Sequence, residues 1–88
     1  MVRLNPKDAQ AHYRLADHLL LEGELQKAEA HYKSCLQNQP SHVDALYNLG
    51  VIYHRTNRNE EAVETFKKLL TIDPKHAQAK KALEHMSP

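Results

Sequence analysis

The sequence predicts an all-α fold of about five antiparallel helices, built as a tandem repeat of helical hairpins. Three observations carry that expectation. First, Ala9–His42 and Val43–His76 align without a gap as two blocks of 34 residues. They are identical at Ala11/Ala45, Tyr13/Tyr47, Leu15/Leu49, Ala28/Ala62, Lys33/Lys67, Leu36/Leu70, Pro40/Pro74 and His42/His76. A fixed period of that length is the mark of a repeat architecture. Second, apolar residues recur at i, i+3, i+4 and i+7, a helical period that excludes alternating strands. Third, helix-stopping residues fall at matching places in both blocks.

The first helix is expected over 9–21, with Ala11, Leu15, Ala16 and Leu19 on its apolar stripe and Asp8 as its cap. Gly23 follows, free to take the left-handed conformation that a helix C-terminus asks for. The second helix, 25–37, buries Leu25, Ala28, Tyr32, Cys35 and Leu36, and Pro40 lies just past its end. Ser41 with Asp44 three residues on resembles a capping box for a third helix over 43–55. Asn57 takes the place of Gly23, as the next best left-handed residue. Asn59 then reads as the N-cap of a fourth helix over 60–72, which stops ahead of Pro74. A fifth, 77–86, puts Ala79, Leu83 and Met86 on one stripe and turns Lys80, Lys81 and Glu84 away, the pattern of a solubilising cap. Leu4–Asp8 matches Ile72–His76, so residues 1–8 read as the tail of a preceding repeat or an N-terminal extension. The expected organisation is a single domain: 9–42 as repeat 1, 43–76 as repeat 2, and 77–88 as the capping helix.

Composition narrows the function. Of 88 residues, 12 are Lys or Arg and 11 are Asp or Glu, and the two signs stay balanced along the chain. A nucleic-acid or anionic-membrane surface needs a concentrated basic face, so neither partner is expected. No apolar run approaches the ~18 residues of a membrane span, and the N-terminus lacks the apolar core of a signal peptide. A cytoplasmic setting is the default expectation.

Little in the chain could carry chemistry. The two glycines, Gly23 and Gly50, lie far apart, so no phosphate-cradling loop is expected. None of the seven histidines stands at i, i+3 or i+4 from another, the spacing that puts two metal ligands on one helix face. His42 and His76 fall in the turn between helices and read as solvated. Cys35, alone, reads as an inert structural thiol. No catalytic constellation is present, so no enzyme, metal or cofactor is expected.

The period, the hairpin unit and the small/large pattern together resemble the tetratricopeptide repeat (TPR) family. Numbering each block from 1, the family favours a large apolar residue at 4, Leu at 7, a small residue at 8, aromatics at 11 and 24, Ala at 20, a small residue at 27 and Pro at 32. The second block offers Leu46, Leu49, Gly50, Tyr53, Phe66, Ala62, Leu69 and Pro74 in those places. The first offers His12, Leu15, Ala16, Leu19, Tyr32, Ala28, Cys35 and Pro40. Three residues depart from the pattern. His12 suggests an exposed N-terminal edge or a partly polar site, Leu69 a slightly splayed second hairpin, and Leu19 a loss of packed volume.

What the resemblance implies is an α–α superhelix whose first helices line a concave groove. Carried over position by position, that groove is lined by Gln10, Tyr13, Arg14, Asp17, Leu20 and Leu21. The second block adds Asp44, Tyr47, Asn48, Val51, His54 and Arg55, and the cap adds Gln78, Lys81 and His85. Tyr13 and Tyr47 are expected to be exposed there, and aromatic and Arg residues are what binding hot spots favour. One TPR subfamily grips the C-terminal carboxylate of chaperone tails. At its clamp positions stand Tyr13, Asp17, Asn48, Gln78 and Ala82, of which only Asn48 fits, and Asp17 would repel a carboxylate. The expected function is a protein–protein interaction module, a scaffold or adaptor holding a peptide or protein in the groove. The alternative is a structural unit that self-associates through its N-terminal edge near His12, Ala16 and Leu19, or a fragment of a longer array.

Overall fold

In a computed structural model of the chain, which describes residues 8–86, five helices follow one another: α1 (Ala9–Leu21), α2 (Leu25–Asn38), α3 (Val43–Arg55), α4 (Asn59–Ile72) and α5 (Ala77–Met86). No strand occurs among the described residues. Apart from Asp8, the segment read as the tail of a preceding repeat lies outside them. Each helix packs on the next, α1 on α2 through to α4 on α5.

The turns follow from local chemistry. Gly23 and Asn57 have φ of 82° and 63°. After α1, the Glu24 N–H reaches the Leu19 carbonyl (2.9 Å) and the Gly23 N–H reaches that of Leu20 (3.1 Å). After α3, Arg58 and Asn57 repeat the arrangement on Tyr53 (2.8 Å) and His54 (3.2 Å). Both are Schellman motifs, in which a left-handed residue lets two orphan helix carbonyls find donors.

Capping divides the expectations. Asp8 caps α1 as anticipated, its Oδ1 accepting from the Ala11 N–H at 3.0 Å. Ser41 does not cap α3. His42 does, its Nδ1 accepting from the Ala45 N–H at 3.1 Å, and His76 repeats this on Ala79 at 3.1 Å. Nδ1 sits as many bonds from the backbone as the Oδ1 of Asp, so a neutral imidazole reaches the same orphan N–H. These two histidines are therefore half-buried structural caps and not solvated. Asn59 is likewise not a cap: it is the first residue of α4, behind Arg58, and its Oδ1 lies 3.1 Å from His54 Nδ1.

The core is made of small residues facing large ones. Ala16, Ala28 and Ala62 are fully buried, as are Tyr32, Phe66, Ile52, Leu69 and Cys35. Burial pushes the Cys35 thiol pKa up, in keeping with an inert thiol. A Cβ on Gly50 would lie 2.7 Å from Cε1 and Cζ of Phe66, closer than carbon atoms approach. Where the first block has Ala16, the second needs the missing methyl so that the Phe66 ring can lie against α3.

His12 is a buried polar site, not an exposed edge: it is 7% exposed. Its Nδ1 lies 2.9 Å from Nδ1 of His31 on α2, and the ring centroids are 5.2 Å apart with planes inclined by 27°. Those figures describe rings meeting edge to edge through one N–H···N bond. His12 Nε2 is buried without a partner among the described residues. Placing the shared proton on His12 Nδ1 leaves a bare lone pair there instead of a buried unpaired N–H. Burial, then the charge of His12, lowers the His31 pKa.

A polar tie joins the two blocks. Glu29 of α2 accepts from both Nη atoms of Arg58, in the turn before α4, with Nη1–Oε2 at 3.1 Å. Lys33 Nζ lies 2.9 Å from the same carboxylate, and the Arg58 guanidinium lies over the Tyr53 ring, 4.8 Å from its centroid. A two-pronged Arg–carboxylate pair adds direction as well as attraction.

Two outcomes are expected. Gly50→Ala should destabilise the fold by about 1–3 kcal/mol, as overpacking does, with no loss of helix content before the melt; urea denaturation reads this. Hydrogen bonding from Arg58 holds the Glu29 carboxyl below its ordinary value of 4.5. The stability it contributes is therefore fully present above pH ~4.5 and is lost as pH falls through the lowered value. The stability difference between wild type and Glu29→Gln should be constant at neutral pH and shrink on acidification below that point.

Candidate functional site on the face shared by α1, α3 and α5

The sequence-predicted groove residues fall on three helices that the structure ties together. Tyr13 and Tyr47 are half-buried, not exposed as expected. The Tyr13 ring lies 4.5 Å from the His42 ring and 6.1 Å from that of Tyr32, centroid to centroid. Tyr47 lies 5.4 Å from His76 and 5.7 Å from Phe66. Each tyrosine is thus wedged between the core aromatic of its own hairpin and the imidazole that caps the next first helix. The arrangement repeats from block to block, so the identities Tyr13/Tyr47 and His42/His76 are one device. Sequence reading found both pairs but treated them separately.

Asp17 and Asn48 are partners of one another. Asp17 Oδ1 accepts from Asn48 Nδ2 at 3.0 Å and from the Tyr32 hydroxyl. This staple joins α1, α2 and α3 and bridges the first helices of the two blocks. It leaves an anchored carboxylate beside Tyr13. Desolvation, then the charges of Asp17 and Asp44, pushes the Tyr13 pKa up to about 12. Desolvation also raises that of Tyr32.

The rest of the predicted set divides by exposure. Arg14, Asp44, His54, Arg55 and Lys81 are exposed, as are Gln10, Gln78 and His85. Leu21 is 87% exposed, while Leu20 packs against the core. Between α3 and α5 the matching space is open: Tyr47, Val51 and Ala82 wall a cavity of about 280 Å³ whose floor is Phe66. Val51 was anticipated. Ala82, Met86 and Phe66 were missed, although aligning the blocks one step further would have set Ala82 opposite Asn48.

Among the described residues no three His, Cys, Asp or Glu side chains come together as metal ligands, and no helix is long and apolar enough to cross a membrane. What the face offers chemically is contact: rings, an anchored carboxylate, an apolar cavity and exposed charges of both signs.

A row of helical hairpins with one continuous face of first helices defines a helical-repeat protein. The tetratricopeptide repeat family model matches residues 19–86, and the chain belongs to that family. It is 36% identical over 78 residues to the FK506-binding protein-like protein of Homo sapiens, covering 89% of this chain and 22% of that one. It is 36% identical over 81 residues to a protein O-mannosyl-transferase of Caenorhabditis elegans, covering 92% and 12%. The chain thus spans less than a quarter of the length of either relative. Among solved structures, YrrB, described as a TPR protein with an unusual peptide-binding site, superposes with a TM-score of 0.85 at 33% identity, over 92% of this chain and 42% of that one. MamA superposes with a TM-score of 0.91 at 24% identity, over 94% and 48%, a likeness of fold. TPR units are in general non-catalytic repeats that mediate contacts between proteins.

Asp17→Asn removes one of the charges acting on Tyr13 and keeps the size of the side chain. The Tyr13 pKa should fall from about 12 but stay above the ordinary 10.0, because desolvation is the larger cause. Phenolate absorbance, or the ring carbon shift in a pH titration, checks this.

Proposed function

We propose that the chain is a protein–protein interaction module that holds a peptide or a partner segment along the face of α1, α3 and α5, serving as a scaffold or adaptor and not as an enzyme. The observation that carries this reading is the repeated wedge of Tyr13 on His42 and Tyr47 on His76. Two half-buried rings at equivalent places are held from behind by core aromatics and helix caps, so each presents an edge with little freedom left to lose. A partner meeting such a surface gives up less ordering entropy than one that must first immobilise flexible side chains. Arg14, Arg55 and Lys81, exposed around the rings, supply polar rim contacts. The likeness to YrrB supports a peptide as the occupant. Of the edge considered for self-association, His12 is 7% and Ala16 0% exposed, which leaves half-buried Leu19 as its apolar surface.

The test is a paired capture from lysate with three baits: wild type, Tyr13→Ala/Tyr47→Ala, and Arg14→Glu/Arg55→Glu. The last alters exposed side chains and leaves the core alone. Each bait is first shown by circular dichroism to be helical. A protein held by wild type and lost by both variants is the expected result. Equal retention by all three moves the binding site off this face.

A further inference from the structure

The 34-residue period sets each side chain of the Asp17 staple against a counterpart in the next unit. Asp17 on α1 corresponds to Val51 on α3, Tyr32 on α2 to Phe66 on α4, and Asn48 on α3 to Ala82 on α5. All three substitutions run from polar to apolar, and the last also shortens the side chain. In the first place the carboxylate, hydroxyl and amide close on one another across the gap. In the second no hydrogen bond can form, Ala82 does not reach across, and a cavity of about 280 Å³ stays open above the Phe66 ring. Phe66 is 1% exposed, so the floor is part of the core and fixed. Tyr47 stands at one side, and His54 and His85 at the rim.

We propose that this cavity is the anchor site for one bulky apolar side chain, aromatic or leucine-like, carried by an acidic segment of a partner protein. The size fits one side chain: it lies just below the ~300–1,000 Å³ of sites that enclose a small molecule. The acidic flank follows from charge. No carboxylate lines the cavity. Lys81 precedes His85 by four residues and Arg55 follows Val51 by four, so both stand beside the lining on its own helix faces. Both cations are exposed, and neither forms an ion pair among the described residues. Glu84 falls on the opposite side of α5 from the lining residue Ala82, Glu60 and Glu64 stand with Lys67 on the α4 side of Met86, and Asp44, a turn before Tyr47, is the exposed carboxylate on the α3 side. The inference deepens the proposed function and rests on the same face, but it commits to one half of it.

The test uses the whole chain and three capped nonapeptides: a central Phe flanked by Asp and Glu, the same flanks around a central Ala, and a central Phe flanked by Lys. Binding is followed by shifts of backbone and methyl resonances. The expected result is that the acidic Phe peptide moves Val51, Ala82 and Met86, and that the Ala and Lys peptides bind about tenfold more weakly or worse, a loss of ~1.4 kcal/mol. Ala82→Asn, which restores the side chain of the sealed place, should weaken the acidic Phe peptide by a similar factor. Lys81→Glu, an exposed change that spares the core, should weaken it and favour the Lys peptide. Equal binding of the Phe and Ala peptides, or stronger binding of the Lys peptide to wild type, overturns the proposal. Shifts confined to Tyr13, Arg14 and Asp44 would overturn it while leaving the broader interaction face standing. No shift anywhere at millimolar peptide would overturn both.

Discussion

A large ring from the second helix of each hairpin is buried against the first, in the second hairpin directly on its smallest residue, Gly50, and the remaining geometry depends on that contact. Tyr32 meets a helix carrying Ala16, and Phe66 meets one carrying Gly50, so close that a single methyl group would overlap the ring. The contact sets how near the paired helices stand, and hence where the position-five tyrosines fall. Because interiors pack near crystal density, the distance has little slack. Tyr32 also aims its hydroxyl at Asp17, so the ring that closes the hairpin ties it to the next unit.

The elements were legible because helix formation is local. Periodicity, Gly23, Asn57 and the prolines each act within a few residues, and the helices begin and end within one residue of where those signals put them. What escaped was whatever depends on contacts across helices. His42 and His76 looked solvated because histidine is seldom weighed as a cap. Only the structure shows the imidazole held in place by Tyr13 and Tyr47. His12 and His31 are nineteen residues apart, beyond the reach of any helix-face rule, yet they share a proton. The tie of Glu29 to Arg58 links a helix to a turn 29 residues on and left no periodic trace, since Glu29 is followed 34 residues later by Val63. The groove residues came from the family pattern, which says where side chains point but not whether they have partners. Asp17 and Asn48 point where expected and are largely engaged with each other.

The two blocks therefore share a frame and differ in what fills it. Helix lengths, turns and the imidazole caps recur because each unit must present the same packing surfaces to its neighbours. The space between successive first helices is free of that demand, so its chemistry can diverge. One such space is sealed by a carboxylate that three elements hold, the other left apolar and open above Phe66. A buried polar network is stabilising only when every member is satisfied. That explains why the second place gave up all three polar groups: Val51 alone opposite an asparagine, or a tyrosine hydroxyl without its aspartate, would leave a group unpaired at a cost of about 1–3 kcal/mol.

On the proposed reading, stability and recognition are carried by the same side chains. Tyr13 packs on the imidazole whose Nδ1 holds the first turn of α3, so a ligand pressing on that ring acts on the start of the next helix. Tyr47 stands in the same relation to α5. A partner that rigidifies either ring also steadies the adjoining hairpin, and linkage makes the converse hold: tightening the stack favours binding by the same free energy. Recognition on this face would thus not be laid over a finished scaffold. The rings that would meet a partner are the ones through which each unit is joined to the next.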